Sequence, residues 1–206
     1  MIPRRAQQGF SLLEVVVVVA IAVTVVLVVG NFSNNVTGLD TLVTSELQSK
    51  SDVNESVAVM AREIQSAAVS ASGAYPIDSA STSSFAFYSD IYQTGSPVHV
   101  RYFFASSTIF RGVIRPTGTP ATYPTSSEVL TDVADNVIVA SSTPLFSYYG
   151  SSYTGSQSAL TYPLSLSSIR LVGVSFEVQS NTTSTTNRSP IQYFSDLIDI
   201  RNLDSN

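Results

Sequence analysis

The sequence has no cysteine, one histidine (His99) and one lysine (Lys50). Each scarcity closes a class of function. Without thiols there is no thiolate zinc site, no disulfide framework and no cysteine nucleophile. A Ser-His-Asp triad would have to pass through His99, and no Gly-x-Ser-x-Gly elbow accompanies it. His99 sits among Val98, Val100 and Tyr102 in a strand pattern, where a structural role is the simplest reading. Lys50 has no Ser-x-x-Lys context, and no Gly-x-Gly-x-x-Gly or phosphate-loop pattern occurs. No catalytic residue, resident metal or cofactor is expected, and no enzymatic activity.

Charge is also scarce. Only 12% of the 206 residues are charged, about half the usual globular share. Ten basic residues face fifteen acidic ones, for a net charge of −5. Beyond Arg4 and Arg5 only eight basic residues remain, so the footprint that a phosphate-binding surface needs is missing and no nucleic-acid partner is expected. A hydrophobic content of 44% excludes a solvated, disordered chain. The length fits one domain, or one domain with an appendage.

The mean hydropathy of +0.22 comes from one place. Phe10 to Val29 is so apolar that the rest of the chain is, on average, slightly hydrophilic. Ten valines lie between Val15 and Val29, with no charge among them. Twenty helical residues reach about 30 Å, the thickness of a bilayer's hydrocarbon core. In lipid an unpaired backbone costs more than valine's rotamer entropy, so the run is expected to be helical. Arg4 and Arg5 before it, with no basic residue close after it, predict the N-terminus in the cytoplasm.

Nothing resembling an Ala-x-Ala cleavage site follows the run, which argues against a secretory signal. A plain signal anchor explains the valines but not Glu14 at the start of an uncharged span. Locally, Ser11-x-x-Glu14 has the spacing of a capping box. A carboxylate in a membrane segment also calls for a partner, because its burial costs roughly 2.5–3.5 kcal/mol at mid-bilayer. An α-amino group created by cleavage between Gly9 and Phe10, on a neighbouring copy of the helix, is such a partner.

Gly9-Phe10-Ser11-Leu12-Leu13-Glu14, preceded by two arginines and followed by an apolar run, resembles the class III signal of type IV prepilins and type II secretion pseudopilins. The resemblance implies removal of residues 1–9 by a membrane-embedded prepilin peptidase that cuts after Gly9. It implies N-methylation of Phe10 by the same enzyme, and neutralisation of a neighbour's Phe10 amine by Glu14 during assembly. Implied partners are that peptidase/N-methyltransferase, other pilin or pseudopilin subunits, and membrane lipid before assembly. The implied location is the cytoplasmic (inner) membrane, with an outer domain that is periplasmic or extracellular and ends in a pilus or pseudopilus.

Beyond the apolar run, Phe32, Val36, Leu39, Val43, Leu47, Val53, Val57, Met60, Ile64 and Ala68 recur mostly at steps of three or four, one face of a helix. Asp40, Glu46, Lys50, Asp52, Glu55, Arg62 and Glu63 fall on the opposite face. The expected division is a leader over 1–9, a transmembrane or filament-core helix over 10–30, its amphipathic continuation over 31–72 and an outer β-rich domain over 75–206. The helix as a whole is expected from Phe10 to about Ser72.

Strand patterns follow at Ser84–Tyr92, at Val98–Phe104 and Thr108–Ile114 as a hairpin, at Asn136–Ala140, at Leu145–Tyr149, at Ile169–Val178 and at Asp196–Arg201. Glu128–Asp135 reads as a short helical turn. Ser/Thr/Gly loops are expected over 115–127, 150–161 and 180–190. The fold class is therefore α+β, a long N-terminal helix packed on a predominantly antiparallel sheet domain. Leu130-x-x-Val133-Ala134-Asp135-Asn136-Val137 ahead of Leu145–Tyr149, with Ile169-Arg170-Leu171-Val172 and Ile200-Arg201-Asn202, is similar to J-type pseudopilins and W-type minor pilins. That likeness implies a minor subunit near a filament tip.

Calcium is a weak alternative in the outer domain. Asp132, Asp135, Asp196, Asp199 and Asp204 supply carboxylates, but without the loop spacing that fixes such a site, so solvated surface acids are the simpler reading. Tyr88, Tyr92, Tyr102, Tyr148, Tyr149, Tyr153 and Tyr193 are either adhesive or, since most alternate with apolar residues, core. Two other functions stay open at this point, a DNA-uptake or adhesion subunit at a pilus tip and an unrelated single-pass membrane protein with an outer β domain.

Overall fold

The computed structural model describes residues 11–140, 143–179 and 191–203, and for residues 31–50 the backbone alone. One long helix, α1 (Leu12–Gln65), opens the chain. Two compact units share it, Met1–Ser45 and Glu46–Asn206. In the first unit the described side chains of α1 are all exposed.

The second unit takes the last turns of α1 and nine strands. These are β1 (Ile77–Ala80), β2 (Ser84–Ser89), β3 (Val98–Ala105), β4 (Thr108–Ile114), β5 (Val129–Ala134), β6 (Val137–Ile138), β7 (Phe146–Tyr149), β8 (Leu171–Gln179) and β9 (Ile191–Asp199). β1 to β5 form a five-stranded antiparallel meander in chain order. In the second sheet β8 is central. β9 pairs along all of its length, and β7 and β6 share its other side. The α+β class and its antiparallel sheets are thus as the sequence indicates.

Alternation decides which side of the first sheet is buried. Phe85, Phe87, Val100, Tyr102, Ile109 and Val113 fall on one face by register, and all are buried. Met60, Ala61 and Ile64 from α1 join them in one core cluster. Val172, Val174, Phe176, Phe146, Tyr148 and Ile198 bring the second sheet into the same cluster, so helix and sheets close one core.

Four expectations need correction. α1 ends at Gln65 rather than near Ser72, because the chain beyond it turns to the sheet. Ala67 bridges Ser89, Ala68 N–H donates to the Tyr88 carbonyl, and the Ser66 and Ser89 hydroxyls lie 2.8 Å apart. Glu128–Asp135 is not a helical turn. Val129–Ala134 is a strand completing the first sheet, since β4 presents an open edge that those residues pair. The last strand begins at Ile191, five residues before the expected Asp196, and stops at Asp199, with Arg201–Leu203 a 3-10 turn. The strand expected to reach Tyr92 stops at Ser89, where the Asp90 carboxylate accepts the Thr94 and Gly95 N–H groups and folds a turn. β1 is too short, with too little alternation, to be read from the sequence.

Candidate functional site

The N-terminal segment is the first candidate. Ser11 stands just outside α1, and its carbonyl accepts the N–H groups of Glu14 (3.0 Å) and Val15 (3.2 Å), closing the first turn. Glu14 lies in that turn, where a carboxylate complements the positive end of the helix dipole. From Leu12 to Gly30 the helix is long and apolar enough to cross a membrane, by length and composition, and none of it is buried in the protein. Leu12 and Leu13 are 82% and 73% exposed, so apolar surface surrounds the acid on an unpartnered helix. Exposed apolar surface of this extent needs lipid or other helices. Gly9 and Phe10 lie outside the described residues.

The second unit holds a buried polar cluster that the sequence reading missed. Glu63, placed there on the solvent face of the helix, is only 8% exposed. Its carboxylate accepts from the Tyr102 hydroxyl (2.7 Å), from Arg111 Nε (2.9 Å) and from the Arg111 Nη2 group. Tyr102 and Arg111 face each other across β3 and β4 on the core side. Burial pushes the Tyr102 phenol well above its ordinary value, and the neighbouring Glu63 charge pushes it further. Burial works against the Arg111 charge, but its hydrogen bonds and attraction to Glu63 outweigh that and hold it above the usual value. The signal was present. Glu63 is three residues after Met60 and four before Ala67, and Arg111 alternates with Ile109 and Val113, so both charges fall in the apolar phase.

His99 lies on the other face of the first sheet. Its Nε2 is 3.1 Å from Asp78 Oδ2, and Tyr88 and Tyr123 pack around the ring. Its buried Nδ1 has no hydrogen-bond partner among the described residues. No serine or threonine nucleophile is bonded to it among the described residues.

Among the described residues, the acidic residues considered for calcium form no metal-holding group. Asp132 is on β5, Asp135 accepts the Thr108 hydroxyl, and Asp196 and Asp199 are on β9. Asp204 lies outside the described residues. Among the described residues no three His, Cys, Asp or Glu side chains form a group able to hold a metal ion. The tyrosines divide. Tyr88, Tyr102 and Tyr148 are buried, whereas Tyr92 and Tyr193 are exposed and Tyr149 packs on Tyr153 at a tilt of 44° with ring centres 4.3 Å apart.

Comparison with known proteins returns a single finding, and it falls on the first candidate. No curated protein and no solved structure matches the chain. The family model for the prokaryotic N-terminal methylation motif matches residues 4–30, which takes in Arg4, Arg5, Gly9, Phe10, Glu14 and the apolar helix. That match supports a type IV prepilin-like or pseudopilin family for this chain.

Proposed function

We propose that the protein is a minor pilin or pseudopilin, a structural subunit held in the cytoplasmic membrane by α1 and then polymerised through it. The observation that carries this reading is the methylation motif over residues 4–30 joined to an apolar, unburied helix with Glu14 in its first turn. Under this reading, cleavage after Gly9 frees the Phe10 amine, which is then methylated. In lipid, Glu14 is costly alone. Beside the Phe10 amine of a neighbouring subunit its charge is balanced, so subunit addition removes an unfavourable state as well as burying apolar surface. Contacts between unlike patches on successive copies make an open filament when the rotation from copy to copy does not close a ring.

The 46–206 unit is the periplasmic or extracellular part in this reading, and its single mixed core of helix and two sheets suits a body carried on a filament helix. A leader over 1–9, a core helix over 10–30 and a continuation of that helix as far as Gln65 belong to the same proposal. So does a position near a filament tip.

Intact-mass spectrometry of the protein extracted from membranes tests the processing step. The expected chain begins at a Phe10 carrying one added methyl group. A mature chain that still begins at Met1 overturns the proposal.

A further inference from the structure

A groove of about 370 Å3 lies over the end of β4 and the start of β5, lined by Arg115, Tyr92, Val129 and the hydroxyl side chains of Thr117, Ser127 and Thr131. Arg111 reaches it too, but Glu63 already holds that guanidinium. No carboxylate lines it among the described residues. In a chain with more acids than bases, that makes the groove a local exception. Arg115 is exposed and makes no hydrogen bond or ion pair among the described residues. Its guanidinium sits over the Tyr92 ring, 4.4 Å from the ring centre. Such packing steadies the side chain and leaves its N–H edge open to a ligand.

The walls are held by their own backbone. Thr117 and Thr122 exchange N–H to carbonyl bonds of 2.9 Å, and Tyr92 sits in the turn that the Asp90 carboxylate folds. The Ser127 hydroxyl donates to the Pro124 carbonyl (2.8 Å), so toward a ligand it can only accept. The Thr117 and Thr131 hydroxyls are uncommitted among the described residues and can donate or accept. These features set the ligand's chemistry. One uncommitted cation without an acid beside it suits a single negative charge, whereas a phosphate group carries nearly two and a nucleic acid needs a track of cations. Three hydroxyls around the apolar patch at Val129 suit a ring with hydroxyls on its edge and C–H groups on its face. An extended peptide is held mainly by backbone bonding, but the uncommitted groups here are side-chain hydroxyls and one guanidinium.

We infer that this groove is a binding site for a saccharide that bears a carboxylate, such as a uronic acid. Arg115 takes the carboxylate through paired N–H groups, Thr117 and Thr131 exchange hydrogen bonds with ring hydroxyls, Ser127 accepts one more, and Val129 covers the C–H face. The inference stands on the outer unit and requires neither the membrane role of α1 nor filament assembly.

The test is titration calorimetry on the full chain, in a detergent without a sugar headgroup, with trigalacturonate, its methyl ester and a capped Gly-Glu-Gly-Glu-Gly peptide. The acid should bind. The ester keeps the rings and loses the charge, so it should bind about tenfold more weakly or worse, for want of charge-assisted hydrogen bonds. Arg115→Gln, at an exposed position, should bring the acid down to the level of the ester and leave the ester unchanged. Thr131→Val, also exposed, keeps the side-chain shape and should weaken both sugars alike. Equal binding of acid and ester, acid binding that either substitution leaves unaltered, or no binding at millimolar sugar overturns the inference. So does a peptide that binds as tightly as the acid, which would make the groove a site for acidic protein segments.

Discussion

Three donated hydrogen bonds converge on the Glu63 carboxylate, two from Arg111 and one from Tyr102. Removing one partner of such a group leaves the other buried and unpaired, at a cost of about 3 kcal/mol or more, whereas replacing both with apolar residues can be nearly neutral. Glu63→Ala should therefore lower unfolding stability by about 3 kcal/mol. The pair Glu63→Met with Arg111→Leu should recover most of that loss. Denaturant unfolding followed by tyrosine near-ultraviolet circular dichroism measures both, and an additive double variant would show that the pair is not coupled. Burial also raises the phenols of Tyr102 and Tyr148. A group with a raised folded pKa binds more protons folded than unfolded above its ordinary value, so its stabilisation is complete below about pH 10 and is lost as pH rises past it. Stability should fall by about 1.4 kcal/mol per pH unit for each buried phenol in that range. Tyr102→Phe should remove one share of the slope. An unchanged slope would assign the alkaline loss elsewhere.

Among the elements, the β3–β4 hairpin shows how a local rule is broken and then supported. Its two turn residues, Ser106 and Ser107, have φ of 50° and 63°. That left-handed backbone costs a non-glycine residue roughly 1–2 kcal/mol, and Asn-Gly is the usual solution. The Ser107 carbonyl accepts the Val137 N–H (2.8 Å), so the turn is also clamped by the strand entry that follows β5. Ser106→Asn with Ser107→Gly keeps that backbone bond and should raise stability by about 1 kcal/mol. A lower midpoint in thermal unfolding would contradict this account. Gly112 shows the reverse constraint. A Cβ there would overlap the Glu128 carboxylate, which grips Arg101 Nε and Nη2 at 3.0 and 2.8 Å across the strand. This grip fixes the approach to β5. It is one reason that Glu128–Asp135, whose Leu130-x-x-Val133-Ala134 spacing also suits a helix, is drawn out as a strand.

At the scale of the whole molecule, the two units present different surfaces. Among its described side chains, the first presents the exposed, apolar stretch Leu12–Gly30. The second is a closed core with a hydroxyl-rich, lightly charged surface. Glu14→Leu separates membrane insertion from assembly. It makes the span more apolar, so insertion should be unchanged, while incorporation into filaments should be lost because the neighbouring Phe10 amine keeps an uncompensated charge. Membrane fractionation and recovery of the subunit in sheared filaments measure the two quantities. Normal incorporation would remove Glu14 from the proposed pairing.

How much of this could be read from residues alone follows from the range of the forces involved. The motif around Gly9, Phe10 and Glu14, the apolar run and the alternation in β3, β4 and β8 are local patterns, and each is legible because its meaning lies within a few neighbours in the chain. Ser66–Ser72 carries no breaker strong enough to stop a helix. α1 ends at Gln65 because Ala67 and Ala68 bond to the end of β2, some twenty residues away. Glu63 and Arg111 are 48 residues apart, and only the closing of α1 on the sheet turns two charges in apolar phase into one buried pair. The free edge of β5 likewise exists only once five strands have been ordered. Sequence determined the methylation motif, the apolar span and the class of fold, through periodicity and short motifs. Tertiary structure decided where the helix stops, which charges are buried and which strand is left open, because those outcomes depend on backbone and charge partners that are distant in the chain.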